Sequence, residues 1–231
     1  MRRIFSIMAF AVFAATLASC GDGKSPSDLI KKVFGGEPTE QTEEVVTETT
    51  EVGTASGEFD RRDAKKLKVI KVEYNNSLAP QAGNTYEAKN LIDGKSQTAW
   101  AVSLDKAGFD EDRLYGPIFT INCKKLTHII IQNGYGKSAD AFQNNTRAAK
   151  IQFMKLADED NEEGEFDTVL FEGPLADTSE PQILEIPLDM KENNDIKQVW
   201  MIFGTPQNGG FYKGKKWNDL CISEVEFWGF E

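Results

Sequence analysis

The stretch AAKIQFM, residues 148–154, alternates apolar and polar side chains with a period of two. Ala149, Ile151 and Phe153 fall on one face, and polar residues fall on the other. Successive side chains of a β-strand point to opposite sides of the sheet, so this pattern is typical of a strand with one buried face. The stretch therefore predicts a strand that covers a hydrophobic core.

Seven further stretches are equally short, rich in β-branched or aromatic residues, and separated by Gly, Asn, Asp and Pro. They are LKVIKVEY (67–74), PIFTIN (117–122), LTHIIIQ (126–132), TVLF (168–171), QILEIPL (182–188), KQVWMIF (197–203) and CISEVEFW (221–228). No amphipathic helical pattern of convincing length and no internal repeat accompanies them. Residues 64–231 are therefore predicted to form one all-β domain, an eight-stranded antiparallel jelly-roll sandwich.

The amino terminus has the composition of a bacterial export signal. Two arginines precede an apolar run from residue 4 to 17, which is shorter than a bilayer-spanning helix requires. The sequence LASC at 17–20 follows, and it resembles the lipobox of bacterial lipoproteins. The resemblance implies that residues 1–19 are removed and that Cys20 carries diacylglycerol and a fatty acyl group such as palmitate. An ordinary secretory signal that ends at a Cys is the alternative.

The lipid would decide where the protein resides. Each buried methylene contributes about 0.8 kcal/mol, so two or three acyl chains would hold the protein on a membrane. Gly21 rather than Asp follows the Cys, which favours the outer over the inner membrane of a two-membrane bacterium.

Residues 20–63 have the composition of a flexible tether. Between residues 37 and 60 there are eight acidic side chains and no Lys or Arg. Such a segment buries too little apolar surface to offset its chain entropy, so we predict a disordered acidic spacer. Binding of a cation or a partner by the acidic run is the alternative.

Charge and cysteine content limit the partners and the cross-links. The chain has 37 acidic and 26 basic residues and a net charge of −11, which argues against nucleic acid as a partner. Cys123 and Cys221 are the two cysteines beyond Cys20. In an exported protein they form either one disulfide or two buried thiols, and both alternatives stay open.

Four blocks, in order along the chain, resemble the discoidin family, also called the coagulation factor 5/8 type C family. They are NLIDGKSQTAW (90–100), IIIQNGYGKS (129–138), NNTRAAKIQFM (144–154) and WNDLCISEVEFWG (217–229). The last block is most similar to a subgroup called NADase-type glycan-binding or NAD-glycohydrolase translocation domains. The resemblance implies a galactose-binding-domain-like sandwich that binds a ligand. The NAD-cleaving domain of that subgroup is a separate module, so the resemblance does not imply that this chain cleaves NAD.

The residues themselves do not favour an enzyme. His128 is the single histidine and lies inside an apolar strand, and no Ser or Cys nucleophile stands at a recognisable spacing from it. We therefore expect a strand histidine whose hydrogen bonds are satisfied by its neighbours, in a domain without catalytic activity.

The resemblance also implies one structural Ca²⁺ that joins the loop before Trp100 to the closing strand. The implied ligands are the side chains of Asp93 and Glu224, the hydroxyl and carbonyl of Thr98, and the backbone carbonyls of Asn90, Lys95 and Ser223. A slip in the apolar alternation near Ser223 predicts a β-bulge, a feature that often re-aims side chains at sites. The alternative is an ion-free loop. A second acidic cluster, 158–163, is interpreted as a solvated hairpin tip.

The loop 205–220 combines aromatic residues with Gly and Lys, a composition that suits sugars, because a pyranose stacks its C–H face on an aromatic ring. The predicted glycan-binding residues are Asn133, Tyr135, Asn144, Arg147, Phe211, Tyr212 and Trp217, with Asn208 as a further polar partner. The alternatives are that Trp217 covers the open end of the sandwich and that Arg147 pairs with a carboxylate.

The predicted function is that of a membrane-anchored, non-catalytic module that binds a glycan or a cell-envelope polysaccharide. A structural or adhesive domain that binds protein through the same loops is the alternative. Membrane docking by the loops ranks third, because the loops show few protruding aliphatic side chains.

Overall fold

The structure, a computed structural model, describes residues 60–110, 112–157 and 167–231. The predictions for the export signal, Cys20 and most of the tether, and for the acidic cluster 158–163, lie outside the described residues. The described strands are β1 Lys65–Lys66, β2 Lys71–Glu73, β3 Trp100–Ser103, β4 Leu114–Cys123, β5 Lys125–Asn133, β6 Arg147–Ala148, β7 Lys150–Lys155, β8 Thr168–Pro174, β9 Gln182–Glu185, β10 Ile196–Phe203, β11 Phe211–Tyr212 and β12 Asp219–Phe230. One α-helix, α1, spans Ala139–Asn144, and 3-10 helices span Arg61–Asp63 and Ala88–Ile92.

Two antiparallel sheets face each other across one core. The first has the order β1-β12-β5-β9, with β3 also paired to β12, and the second has the order β2-β4-β10-β7-β8. Phe227 of the first sheet meets Phe119 and Phe153 of the second edge-on, with ring centroids 5.0 and 6.2 Å apart. All three rings are fully buried, so they contribute large apolar areas to the stability of the core. The predicted β-sandwich is confirmed.

The predicted alternation holds in the strands that were predicted from it. Ile151 and Phe153 are buried in β7. Leu184 and Ile186 are buried, whereas Ile183, the neighbour of Leu184 in β9, is 65% exposed. β9 has one face on the core and one in water, which is the arrangement that its period of two indicates, whereas in β7 the polar Gln152 between Ile151 and Phe153 is buried as well.

The prediction of one strand over 67–74 was wrong. The chain pairs with β12 through β1 and then with β4 through β2, so it passes from one sheet to the other. The amide of Leu67 still donates to the carbonyl of Phe227, and the amide of Ile70 already donates to that of Thr120, both at 2.8 Å. Leu67 is buried, whereas Lys68 and Ile70 are exposed, so nothing in the alternation marks the point at which the chain changes sheets.

The strand predicted over 148–154 is also interrupted. The amides of Ala149 and Lys150 both point to the carbonyl of Gly210, at 2.7 and 3.3 Å, and this separates β6 from β7. β6 pairs instead with β11, which the sequence did not indicate. β3 was missed as well, because it is four residues long and begins inside the block that resembles a loop.

The closing strand changes neighbours where its apolar alternation slips. Residues Asp219–Ile222 pair with β3, and residues from Glu224 onward pair with β5. The register irregularity between β12 and β5 lies at Trp228 and Gly229. The β-bulge predicted near Ser223 is therefore wrong in position, since the slip marks a change of partner.

The sandwich has two ends with different contents. One end, which we call the loop end, contains the last residues of β3, β5, β8 and β10 and the first residues of β12. Asp60, Arg61 and the last residue, Glu231, lie at the opposite end, which we call the terminal end. No α-helix among the described residues is long and apolar enough to cross a membrane.

Both cysteines of the domain are buried free thiols. Cys123 lies at the end of β4, and burial raises the pKa of its thiol to about 12. Cys221 lies in β12, and burial raises its pKa as well. Of the two alternatives left open by the sequence, the structure shows the pair of thiols.

Candidate functional site: an aromatic cleft and an oxygen-lined loop

The loop of the block NLIDGKSQTAW is closed by Asp93 and the glycine that follows it. Gly94 has φ of 74°, a left-handed conformation that glycine adopts without a steric penalty. The turn brings the amide of Lys95 to the Oδ1 atom of Asp93, at 2.9 Å. The hydroxyl oxygen of Thr98 lies 3.0 Å from each carboxyl oxygen of Asp93 and 2.8 Å from the carbonyl oxygen of Lys95.

Glu224 of β12 reaches the same turn from the closing strand. Its Oε1 atom accepts a hydrogen bond from the amide of Lys95 at 2.6 Å. Burial, together with a hydrogen bond to the adjacent Asp93 carboxyl, raises the pKa of Glu224 to about 7. Two carboxyl groups so close together cannot both ionise without a compensating positive charge, which is why one of them holds its proton more tightly.

The other two predicted ligands, Asn90 and Ser223, form hydrogen bonds within the protein through their side chains. Asn90 is buried, and its amide donates to the carbonyls of Thr85 and Ala99 at 2.8 and 2.9 Å. The buried hydroxyl of Ser223 accepts from the amide of Gly136 at 2.9 Å and lies 3.0 Å from the carbonyl oxygen of Gly134. Their predicted contribution was a backbone carbonyl in each case.

The chemistry of this cluster fits a hard cation. Asp93, Glu224, Thr98 and the carbonyl of Lys95 gather carboxylate, hydroxyl and carbonyl oxygens, the donors that Ca²⁺ prefers. Within the described residues, no three His, Cys, Asp or Glu side chains come together. An ion here would therefore depend on neutral oxygens in addition to the two carboxylates.

A cleft of about 220 Å³ opens at the loop end, beside this turn. Three aromatic residues, Tyr86, Tyr135 and Trp217, line it. Trp217 is 50% exposed, and the rings of the two tyrosines meet edge-on with centroids 6.2 Å apart. The remaining lining residues are Leu78, Gln81, Ser138, Asp140, Ala141, Asn145, Asp219 and Cys221. Aromatic planes with amide, hydroxyl and carboxylate groups around them match the surface of a sugar.

The loop that carries Trp217 is fixed although its ring is exposed. The amides of Trp217 and Lys216 donate to the carbonyl of Asn144, at 2.9 and 3.2 Å. Gly214 packs so closely that a Cβ atom there would lie 2.4 Å from that same carbonyl oxygen, so a larger residue would displace the loop. The indole is thus presented to solvent from a rigid backbone.

Two of the predicted glycan-binding side chains are occupied inside the protein. Asn133 is fully buried, and its amide group both donates to the carbonyl of Ala148 and accepts from its amide, at 2.8 and 3.1 Å. Arg147 is buried and forms a bidentate ion pair with Asp177, at 2.6 and 2.9 Å. The structure thus shows the carboxylate pairing that was the alternative for Arg147.

Arg147 also organises the segment beneath the cleft. Its Nη1 atom donates to the carbonyls of Asn145 and Phe142, at 2.8 and 3.2 Å, and its guanidinium lies 4.9 Å from the centre of the Phe142 ring. Asn144, another predicted binding residue, is buried, and its Nδ2 atom has no hydrogen-bond partner among the described residues. These residues support the segment 142–145, whose residue Asn144 accepts the backbone hydrogen bonds of the Trp217 loop.

Phe211 and Tyr212 form β11, away from the cleft lining. The hydroxyl of Tyr212 donates to the carbonyl of Leu175 at 2.8 Å, and Phe211 packs against the core. Asn208 bonds to the amide of Thr205 at 2.8 Å and lines a separate hollow of about 210 Å³. As the described residues are placed, Tyr135 and Trp217 are the two of the seven predicted residues that line the cleft.

Tyr86, Asp140 and Asp219 line the cleft and were not predicted from the sequence. Tyr86 stands in an irregular segment before the 3-10 helix, where no periodic pattern marks its position. Burial raises the pKa of Asp219, and its carboxylate accepts a hydrogen bond from Ser103. These three residues come together only through tertiary structure, so their spacing in the chain carried no signal.

Larger hollows exist at the terminal end, but their chemistry differs. One of about 580 Å³ is lined by Lys68, Lys124 and Lys197 together with Asp195 and Glu231, and another of about 830 Å³ adjoins it. Both hollows are lined by residues of both charges, and no aromatic residue of the described chain lines the first of them. The smaller cleft therefore remains the candidate site.

His128 has the satisfied environment that was expected of a strand histidine. Its Nδ1 atom lies 2.9 Å from the hydroxyl of Thr127, and its ring stacks on Trp228 with centroids 5.5 Å apart. Burial and the nearby charge of Arg61 lower its pKa. It lies toward the terminal end, remote from the cleft.

The match to a protein family covers nearly the whole sandwich. The family described as "NAD glycohydrolase translocation F5/8 type C domain" matches residues 64–228. The chain belongs to this family. The resemblance that the four sequence blocks indicated is therefore confirmed, and the sandwich described above is an F5/8 type C domain.

Solved structures similar to this F5/8 type C domain include carbohydrate-binding modules. An F5/8 type C domain of a Bacteroides fragilis protein is 14% identical, with a TM-score of 0.47, over 75% of this chain and 95% of that one. CpGH89CBM32-5 from Clostridium perfringens, in complex with GalNAc-β-1,3-galactose, is 16% identical, with a TM-score of 0.43, over 74% of this chain and 97% of that one. No curated protein matches the chain.

A third similar structure belongs to a larger protein. A truncated AlyQ with CBM32 and alginate lyase domains is 15% identical, with a TM-score of 0.45, over 73% of this chain. The chain spans 34% of the length of that protein.

Proposed function

We propose that the F5/8 type C domain is a non-catalytic carbohydrate-binding module and that its ligand lies in the cleft between Tyr86, Tyr135 and Trp217. The observation that carries this proposal is the half-exposed indole of Trp217 on a loop whose backbone is fixed by Asn144. A rigid, exposed aromatic plane stacks on a sugar with little loss of conformational entropy.

The polar groups of the cleft complement the hydroxyls of a sugar. Gln81 and Asn145 bring amide groups, Ser138 brings a hydroxyl, and Asp140 and Asp219 bring carboxylate acceptors. The volume of about 220 Å³ accommodates about one pyranose ring, so we expect recognition of a single unit or the end of a chain. The carboxylate of Asp219 accepts a hydrogen bond from Ser103, which fixes its orientation toward a sugar hydroxyl.

A structural Ca²⁺ at Asp93, Glu224, Thr98 and Lys95 is part of the proposal. It would replace the proton shared by the two carboxyl groups and would fasten the loop before Trp100 to β12. Ser223, the neighbour of Glu224, contacts Gly136 in the loop that also carries Tyr135. An ion here would therefore rigidify one wall of the cleft without touching the sugar.

Display from a membrane completes the proposal. The export signal and the lipidated Cys20 would place the protein on the bacterial cell envelope, with the outer membrane favoured. The domain receives the preceding chain at its terminal end, and the cleft lies at the loop end, so a tether would leave the cleft free. Many copies on one membrane would let modest single-site affinities add through multivalency.

A glycan array tests this proposal. Residues 21–231 are applied with Ca²⁺ and with chelator, alongside Trp217→Ala and the control Ile183→Ala, which removes a 65% exposed apolar side chain from the outer face of the sheet. We expect retention of a defined set of glycans by the wild type and the control. Trp217→Ala should reduce retention by about tenfold or more, because the stacking plane is lost.

Two results would overturn the proposal. One is that the wild type retains no glycan in either condition. The other is that Trp217→Ala retains the same glycans as the control variant, which would remove the cleft as the binding site.

A further inference from the structure

Among the described residues, four lysines near the cleft have no acidic partner. Lys213, Lys215 and Lys216 precede Trp217 on one loop, and Lys137 stands near Gln81 on the opposite rim. None of the ion pairs formed in the described part of the chain includes any of the four. This concentration of positive charge is unexpected in a chain with a net charge of −11.

The side-chain contacts of three of these lysines are with neutral groups. The ammonium of Lys215 donates to the side-chain oxygen of Gln143, and that of Lys137 donates to the side-chain oxygen of Asn84 at 2.9 Å. The ammonium of Lys216 lies 5.8 Å from the centre of the Trp217 ring. Their full charges therefore remain available to a ligand.

Three lysines elsewhere on the domain are neutralised by carboxylates. Lys66 pairs with Glu226 of the neighbouring strand, and Lys71 and Lys89 each pair with a glutamate two residues away in the chain, with N–O distances of 2.5 to 2.7 Å. No ion pair of this kind involves the Lys213–Lys216 loop in the described part of the chain, so three positive charges are concentrated beside Trp217.

The interior of the cleft has the opposite charge. Asp140 and Asp219 line it, and no Lys or Arg is among its described lining residues. An anionic group placed inside would face these carboxylates at short range, whereas the same group outside Trp217 would face the ammonium groups of the Lys213–Lys216 loop.

We propose that the cleft selects an anionic oligosaccharide and binds it in one direction. A neutral sugar ring lies between Tyr86 and Trp217, and the adjacent unit places a carboxylate or a sulfate ester on Lys213, Lys215 and Lys216. This inference rests on the proposed glycan-binding function and adds the charge class and the polarity of the ligand. The lysines act as specificity determinants, and the aromatic residues supply binding that is independent of charge.

Paired ligands test the charge preference. The probes are sialyllactose against lactose, oligogalacturonate against its methyl ester, and chondroitin sulfate tetrasaccharide against its desulfated form. Affinities are measured by titration calorimetry at low and at physiological ionic strength. We expect the more acidic member of at least one pair to bind about tenfold more tightly, with a preference that shrinks as salt screens the exposed charges.

A triple variant and a matched control locate the preference. The triple variant combines Lys213→Gln, Lys215→Gln and Lys216→Gln. It should bring the ratio of the affinities for the acidic and the neutral ligand to about one, while the neutral sugar binds as before. The fold should persist, because the loop is held by the backbone amides of residues 215–217. The control combines Lys66→Gln, Lys71→Gln and Lys89→Gln, which removes the same charge away from the cleft and should leave the ratio unchanged.

The outcomes separate this inference from the function on which it rests. Neutral sugars that bind as tightly as their acidic partners, in a manner that depends on Trp217, would overturn the charge preference and leave the binding function standing. An equal change of the ratio in both triple variants would overturn it as well. Absence of any Trp217-dependent binding, acidic or neutral, would overturn the proposed function itself.

Discussion

At Glu224, a proton and the proposed Ca²⁺ would compete for the same carboxyl group. This carboxyl group lies against Asp93 and the amide of Lys95, and burial with the neighbouring carboxyl raises its pKa from 4.5 to about 7. Because the folded state binds this proton more tightly than the unfolded chain does, stability from this group is fully present below pH 4.5. It is lost as pH rises through about 7.

A pH series in chelator should show this loss. Between pH 5 and pH 8 the free energy of unfolding should fall by about 1–2 kcal/mol, a modest value because the carboxyl group is half exposed and solvent screens its charge. Urea unfolding at each pH measures it. Glu224→Gln should remove this component, whereas the control Glu185→Gln, on the exposed face of β9, should retain it.

Binding of Ca²⁺ should restore the stability that is lost when Glu224 ionises. Added Ca²⁺ should stabilise the wild type more at pH 8 than at pH 5, because the ion needs the ionised carboxylate. Glu224→Gln should lose most of this response in the same urea titration. An equal gain in stability at both pH values, or an unchanged gain in the variant, would contradict the assignment of the ion to Asp93 and Glu224.

At the scale of secondary-structure elements, the pair β6 and β11 together with α1 forms the support of the cleft. Arg147 of β6 connects this support to Asp177, to the carbonyl of Asn145 and to that of Phe142. Its side chain is 8% exposed and that of Asp177 is 40% exposed, so the ion pair is largely shielded on one side. Such a pair stabilises local geometry mainly because its loss leaves buried polar groups without partners.

Arg147→Ala should therefore lower the free energy of unfolding by about 2–4 kcal/mol, measured by urea unfolding. Lys66→Ala, which breaks the exposed pair with Glu226, is the control and should cost less than about 1 kcal/mol. If the Arg147 variant were as stable as the control and yet had lost its affinity for glycans, Arg147 would be a ligand-contacting residue rather than a support.

The same elements show what sequence could and could not predict. Strands such as β7 and β9 were predictable because Ile151 alternates with polar neighbours and Leu184 with exposed ones. The crossing between β1 and β2 was not, since the alternation of the stretch gives no sign of which sheet receives each part. Four-residue β3 and two-residue β11 are shorter than any pattern that periodicity can detect.

For the candidate site, the sequence predicted some of the residue types but not which residues would lie close together in space. Trp217 stood out as an aromatic residue among Gly and Lys, and Asp93 and Glu224 stood out through the family resemblance. Tyr86 did not, because it joins Tyr135 only through the folding of two distant loops. Asn133 carried a binding signal in the sequence, but its side chain is fully occupied by the backbone of Ala148.

At the scale of the whole molecule, the sandwich places the entry of the chain and the aromatic cleft at opposite ends. The chain enters through Arg61, whose guanidinium donates to the carbonyls of Thr127 and Ile186 at the terminal end. The aromatic cleft and the oxygen-lined turn share the loop end region, joined by the contact of Ser223 with Gly136. A module built in this way can be held at one end and bind at the other.

Backbone NMR of residues 21–231 tests most directly whether the cleft of Tyr86, Tyr135 and Trp217 binds a glycan. Titration with a glycan retained on the array should shift the amide signals of residues 135–145 and 213–219 and the indole N–H signal of Trp217. Signals around the 580 Å³ hollow, near Lys68 and Lys197, should stay in place. Shifts centred on that hollow, or no shift at saturating ligand, would contradict glycan binding in the cleft.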